Sequence, residues 1–242
     1  MAKVLRLAAN DRVELFNGAG GIVEGSIQMV DRTGLDVMAL EDPKVSAPHG
    51  IQWHVFAAFG SLKGGRADWL VEKCTELGAN SVTPLLTERS PTIPDNRVDR
   101  LQRVILAAIK QCQRLHGMRL NPPIKFEKFL PIVARSKFSL LGAAEATPLV
   151  NILSSSIIGT DGLIIVGPEG DFTEEEIQML TKAGAIPVGL GPCRLRVETA
   201  TMALLSTLML WSDAQMLDSE QCWRKKRRDS WGLALGIKGY GT

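Results

Sequence analysis

The chain has 242 residues, 45% apolar and 22% charged, with a formal net charge of +2, an ordinary composition for one large globular domain or a large and a small one. No run of eighteen apolar residues occurs, which argues against a membrane-spanning helix, and the start Met-Ala-Lys-Val-Leu-Arg-Leu has no signal-peptide pattern. Of 28 Lys/Arg and 26 Asp/Glu, six and four lie in residues 213–242, leaving 22 of each in residues 1–212, so the body is neutral and any nucleic-acid binding has to rest on local basic patches.

Residues 4–42 read as short strands joined by tight turns. Val13-Glu14-Leu15-Phe16 runs into Asn17-Gly18, Ile22 to Val30 alternates imperfectly before Asp31-Arg32-Thr33-Gly34, and Leu35 to Leu40 is a third strand candidate. A compact β-barrel is the natural closure of such strands, and it is assigned to residues 1–46. Pro43 to Gly50 reads as a linker. From Ile51 strands and helices alternate, the pattern of a mostly parallel sheet covered by helices, and this domain is assigned to 51–212. Its strand candidates are Gln52–Phe59, Val82–Leu86, Phe138–Leu141, Leu163–Val166 and Pro187–Leu190. Its helix candidates are Arg66–Leu77, Arg97–Leu115, Pro148–Ser156, Glu174–Lys182 and Val197–Trp211, the fourth opened by a capping box of Thr173 with Glu176.

At 100° per residue, Val98, Leu101, Ile105, Ala108 and Cys112 share one face of the helix from Arg97, and Arg100, Arg103, Lys110 and Arg114 the other. The basic face is either simply solvated or a phosphate-contacting stripe. Val197–Trp211 is apolar nearly all round, which requires burial. Residues 213–242, with Trp223-Arg-Lys-Lys-Arg-Arg228, lack periodicity and are expected to form a basic, disordered tail. Cys74, Cys112, Cys193 and Cys222 are widely spaced and accompanied by three histidines, so no metal site is expected and the thiols are expected to be reduced.

Two loop segments carry the chemistry. Gly167-Pro168-Glu169-Gly170-Asp171-Phe172-Thr173 follows the apolar run Leu163–Val166 and precedes a helix, and Leu190-Gly191-Pro192-Cys193-Arg194-Leu195-Arg196-Val197-Glu198-Thr199-Ala200 opens the last one. Strand-to-loop-to-helix junctions at neighbouring sheet ends are where α/β proteins bind ligands. Neither segment has the spacing of a P-loop or a dinucleotide fingerprint.

This pair resembles the RsmE family of 16S ribosomal RNA uridine-N3 methyltransferases, of the SPOUT superfamily. It is joined by Lys63-Gly64, Arg66 to Trp69, Glu72-Lys73-Cys74-Thr75-Glu76-Leu77-Gly78 and Thr87-Glu88-Arg89-Ser90, and the similarity runs from about Val4 to Trp211. The resemblance implies a SPOUT-type, trefoil-knotted α/β fold: a parallel sheet with helices on both faces, preceded by a small PUA-like β-barrel domain. It implies transfer of a methyl group from S-adenosylmethionine (SAM) to N3 of a uridine in small-subunit ribosomal RNA, by a homodimer. SAM is expected to lie against Leu141, Gly142, Gly167, Pro168, Glu169, Gly170, Leu190, Gly191 and Leu195. Arg196 is expected to stabilise the uridine oxygen that gains charge, with Glu198 orienting that arginine or relaying the proton. For Glu198, complementation of the helix dipole is the plain alternative. Lys63, Arg66, Arg89, Arg114 and Arg194 are the expected RNA contacts, although Arg89 is equally read as pairing with Glu88 on the surface.

The chain departs from the pattern at Cys193-Arg194, where the arginine stands one position late, at Lys110, where Glu is usual, and at Gly65, usually acidic. The family pattern is already inside its first domain near Met1, so the barrel is expected to be N-terminally incomplete. The expected location is the cytoplasm, or an organelle matrix or stroma if a targeting segment precedes. A SPOUT enzyme with another RNA acceptor, and an inactive RNA-binding ribosome-assembly factor, stay open as alternatives.

Overall fold

The computed structural model describes residues 7–31, 34–60, 62–154 and 159–216, and the backbone of 233–236. The chain divides into two compact units: residues 1–48 with 109–117 and 218–242, and residues 49–108 with 118–217.

In the first unit, β1 (Arg12–Phe16), β2 (Gly21–Val30) and β3 (Leu35–Ala39) form an antiparallel meander, to which β4 (Lys44–Val45) adds on β2. The β1–β2 turn is set by Asn17, whose side-chain oxygen accepts from the backbone N–H of Ala19 at 2.8 Å and of Gly21 at 2.9 Å. A register shift between Ile27 and Met29 accounts for the imperfect alternation of β2. Val13, Phe16 and Ile27 are the fully buried side chains of these strands. Among the described residues the pairing is an open ladder of order β12-β1-β2-β3, with β12 (Leu233–Gly236) parallel to β1, rather than a closed ring.

The expected linker thus contributes β4. The expected disordered tail contributes a strand, and the last helix runs on to Met216; residues 217–232, with the basic run 224–228, and 237–242 lie outside the described residues.

The second unit holds a parallel sheet of order β11-β9-β10-β5-β6-β7, with β8 also on β6. Its strands are β5 (Gln52–Ala57), β6 (Ser81–Leu86), β7 (Arg119–Leu120), β8 (Ile124–Lys125), β9 (Ser139–Gly142), β10 (Asp161–Val166) and β11 (Ile186–Val188). The central strands read as continuous apolar runs because both faces are covered. On one face Phe56, Leu85, Leu141, Leu163 and Ile165 meet Phe126, Phe129 and Val133 of α3 (Phe126–Arg135) and Leu180 of α5 (Glu174–Lys182). On the other, α6 (Val197–Met216) packs against β5, β10 and α1 (Arg66–Glu76).

α2 (Asp95–Gln111) buries Leu101, Ile105 and Ala108, as its periodicity requires, and α4 (Leu149–Ser154) is short. Helix α3 was not anticipated. Pro131 inside it removes a backbone donor, but burial of Phe126, Phe129 and Val133 at helical spacing outweighs that loss. The buried hydroxyls of α6 are satisfied within the helix: that of Thr201 donates to the Val197 carbonyl at 2.7 Å and that of Ser212 to the Leu208 carbonyl at 2.6 Å.

Candidate functional site

β11, β9 and β10 are adjacent in the sheet, and each ends in a loop that leads to a helix: residues 189–196 to α6, 142–148 to α4 and 167–173 to α5. The three loops enclose a cleft of about 410 Å³ at the C-terminal edge of the sheet.

Main-chain bonds knit two of the loops together: the Ala143 N–H donates to the Val188 carbonyl at 3.0 Å, Gly189 to Thr147 at 2.8 Å and Leu149 to Gly189 at 3.1 Å. The third loop is a turn, closed by the Asp171 N–H on the Pro168 carbonyl at 2.8 Å and anchored by the Phe172 ring, which is buried 6.2 Å from that of Phe126. Gly191 holds a φ of +107°, a conformation open to glycine and strained for other residues.

Of the residues expected around a cofactor, Gly142, Gly167, Pro168, Glu169, Leu190, Gly191 and Leu195 line this cleft. Leu141 and Gly170 do not. The Leu141 side chain belongs to the core on the α3 side of the sheet, and Gly170 lies against the Arg89 side chain, to which its carbonyl is hydrogen-bonded. Ala143, Ala144 and Glu145, together with Asp171 and Cys193, also face the cleft and were not among the expected residues. The run Gly142-Ala143-Ala144 after an apolar strand was the available signal, since small residues at a strand end let backbone approach a ligand.

The rim is charged, and its pairing differs from expectation. Glu198, in the first turn of α6, is 8% exposed and accepts from Arg66 Nη1 at 3.4 Å, not from Arg196. Its other oxygen is buried without a hydrogen-bond partner. The same Arg66 nitrogen is hydrogen-bonded to Glu169 Oε1. That contact holds the Glu169 carboxyl below the ordinary carboxylate range, with Arg196 adding to the effect at longer range, and Glu169 in turn raises Arg66. Arg196 is exposed, and its side chain makes no hydrogen bond or ion pair with described residues; its carbonyl accepts from the Ala200 N–H at 2.8 Å. Arg194 lines the cleft and donates from Nη2 to the Glu169 carbonyl at 3.3 Å.

Arg66 bridges two carboxylates, Glu169 and Glu198. Arg89 donates to the Gly170 carbonyl and, at 3.5 Å, to that of Asp171, so it braces the cleft loop and does not pair with Glu88. Its turn is locked by the Glu176 carboxylate, which accepts from the N–H of Glu88 and of Thr173, each at 3.0 Å, while closing the capping box of α5. Lys63 is exposed in the loop before α1, and Arg114 is half-buried in segment 109–117 of the first unit. Arg100, on the basic face of α2, is paired with Asp68. Among the described residues no cluster of His, Cys, Asp or Glu could hold a metal ion, and no helix is long and apolar enough to cross a membrane.

Residues 50–209 match the family model for an RNA methyltransferase domain, and residues 1–37 that for an RNA methyltransferase PUA domain. The chain is 31% identical over 212 residues to ribosomal RNA small subunit methyltransferase E of Synechocystis, covering 86% of this chain and 69% of that protein. It is 30% identical over 214 residues to the protein of the same name from Rickettsia conorii, covering 86% and 84%. A crystal structure of ribosomal RNA small subunit methyltransferase E from Neisseria gonorrhoeae, bound to S-adenosyl methionine, superposes with a TM-score of 0.74 at 25% identity, covering 88% of each chain.

Proposed function

The chain belongs to the small-subunit ribosomal RNA methyltransferase E (RsmE) family, and from that membership we infer that it is a SAM-dependent methyltransferase acting on N3 of a uridine in small-subunit ribosomal RNA. The observation that carries this reading is the cleft where β9, β10 and β11 end, built from the two motif loops and a third between them. Its chemistry fits SAM. Backbone edges at Gly142, Gly167 and Gly191 allow close approach, Leu190 and Leu195 offer apolar surface, and Glu145, Glu169 and Asp171 supply acceptors for hydroxyl and ammonium groups and favour a positive ligand. When bound, SAM supplies an activated methyl group.

The remaining work falls to the chain: holding the acceptor in line, excluding water and handling the N3 proton. Arg196, exposed at the rim and free of a direct partner among the described residues, is assigned to the uridine oxygen that gains charge. Glu198 is assigned to the proton, because its second oxygen is buried and unpaired. Arg194 and Lys63 are the exposed cations left for RNA phosphate.

The active form is read as a trefoil-knotted homodimer in the cytoplasm. Supporting the dimer is Leu210, which is 72% exposed on α6 beside half-buried Met202, Ala203, Ser206 and Met209. Calorimetry with SAM tests cofactor binding. Mass mapping of methylated nucleotides in small-subunit ribosomal RNA from a deletion strain tests the acceptor, and an unchanged methylation map overturns the assignment. Arg196→Ala is expected to lower kcat at least about a hundredfold with SAM affinity kept; equal loss of both refutes the role of Arg196.

A further inference from the structure

We propose that Arg66 is a positioning residue of the methyl-transfer site, joining the two cofactor loops from outside the cleft, and that it does not contact RNA phosphate. The inference rests on the reading of the cleft as a SAM site. Arg66 opens α1, and its guanidinium is held from three directions. Nη1 is bonded to Glu169, on the loop after β10, and lies 3.4 Å from Glu198, on α6 just beyond the loop after β11. Nε points to the Lys63 carbonyl at 3.4 Å.

Glu169, 103 residues away in sequence, lines the cleft, and so do Val197 and Ala200, the neighbours of Glu198 on α6. One cation thus ties together the two walls between which the cofactor is proposed to bind. It also supplies the single donor to Glu198 among the described residues, since the other oxygen of that buried carboxylate has none. A carboxylate so placed requires a cation, and Nη1 alone reaches both carboxylates while Nε ties the same plane to the Lys63 carbonyl, a third contact that a lysine ammonium at the same point would give up. With Nη1 and Nε engaged, only the Nη2 edge of Arg66 is left to face a phosphate, although its place in a basic motif suggests one.

The test compares wild type, Arg66→Gln, Arg66→Lys and Arg66→Gln/Glu198→Gln, the last removing the uncompensated carboxylate so that general unfolding is told from local loosening. Hydrogen exchange of the peptide spanning residues 167–172, measured without SAM, is expected to quicken in Arg66→Gln and in the double variant. SAM affinity is expected to weaken about tenfold in both, and Arg66→Lys to recover part of it. RNA affinity should keep its salt dependence. A salt slope reduced by about one, with loop exchange unchanged, would make Arg66 a phosphate ligand and overturn the proposal. If wild type binds no SAM, the reading of the cleft fails, while the exchange measurement still decides whether Arg66 holds the loop.

Discussion

Gly162 on β10 is the register partner of Trp53 on β5, and a methyl group there has nowhere to go. A Cβ at Gly162 would stand 2.2 Å from Trp53 Cζ3, 2.7 Å from Cε3 and 2.9 Å from Cη2. The indole cannot yield cheaply. It is fully buried, its Nε1 donates to the Ser212 hydroxyl at 3.0 Å, and it meets the Phe138 ring edge-on at 6.2 Å. Gly162→Ala therefore overpacks a closed core, at about 1–3 kcal/mol. Displacing the ring also strands a buried N–H, at about another 1–3 kcal/mol. The combined loss of about 2–6 kcal/mol is a large part of the stability of an ordinary domain. Urea unfolding followed by far-ultraviolet circular dichroism reads it directly. Trp53→Phe is destabilising alone but should relieve the clash, so the double variant is expected to lose less than the sum of the two single ones. A loss below about 1 kcal/mol for Gly162→Ala, or strict additivity, would show that the strand pair is not packed as described.

Three further outcomes follow from other sites. Glu176→Gln leaves two backbone donors facing one acceptor oxygen and is expected to cost about 2 kcal/mol in thermal unfolding; exchange at the Glu88 amide should rise, and unchanged protection there would refute the bridge. Gly191→Ala meets no steric obstacle, so its effect isolates the backbone strain at φ +107°; a strain of about 1–2 kcal/mol is expected as lost stability in urea unfolding, and an unchanged midpoint would show that the loop does not hold this conformation. His54, hydrogen-bonded to Ser81 at 2.8 Å and 3.6 Å from Asp161, has its pKa lowered from 6.5 by burial, which outweighs the opposing pull of Asp161. The native state then resists a proton that the unfolded chain accepts, so stability is full above 6.5 and falls as pH drops below it. Urea midpoints at pH 7.5 and 5.5 should differ less in His54→Gln than in wild type, and an equal difference would exclude His54 as the cause.

The parts of the molecule legible in the sequence are those written by local chemistry. Thr173 and Glu176 announce a capping box and make one, and the apolar run Leu163–Val166 predicts a strand buried on both faces. The glycine-bearing ends of β10 and β11 mark two of the three cleft loops. What escaped was written non-locally. Helix α3 was hidden by Pro131, because the compensating burial of Phe126 and Phe129 depends on strands far away in sequence. Residues 109–117 pass to the first unit, where the Gly20 N–H donates to the Leu115 carbonyl at 2.9 Å, a pairing that no pattern within α2 foretells. Charges were the least readable: the family resemblance suggested Arg196 with Glu198, and adjacency Glu88 with Arg89, yet the observed partners are 132 residues away for Glu198 and 81 for Arg89.

This difference separates the two halves of the site. The cleft is built largely of backbone, so its shape depends on where strands end and where φ turns positive, and it tolerates changes in side chains that merely face it. The rim depends on side-chain partners drawn from α1, α6 and the turn at Thr87–Ser90. The sequence departure at Cys193-Arg194 illustrates the distinction. Arg194, one position later than the family pattern places it, still reaches the Glu169 carbonyl at 3.3 Å, because its acceptor is a main-chain atom of the cleft loop and not the side chain of a particular residue. A long, flexible arginine absorbs a one-residue displacement when its target is backbone. Arg66 has no such latitude, since two carboxylates fix its position at once. Moving Arg194 back by the double substitution Cys193→Arg/Arg194→Leu should therefore leave SAM affinity within about twofold of wild type, a change of about 0.4 kcal/mol. An order-of-magnitude loss would show that the position of Arg194, and not only its reach to a main-chain acceptor, sets the cofactor pocket.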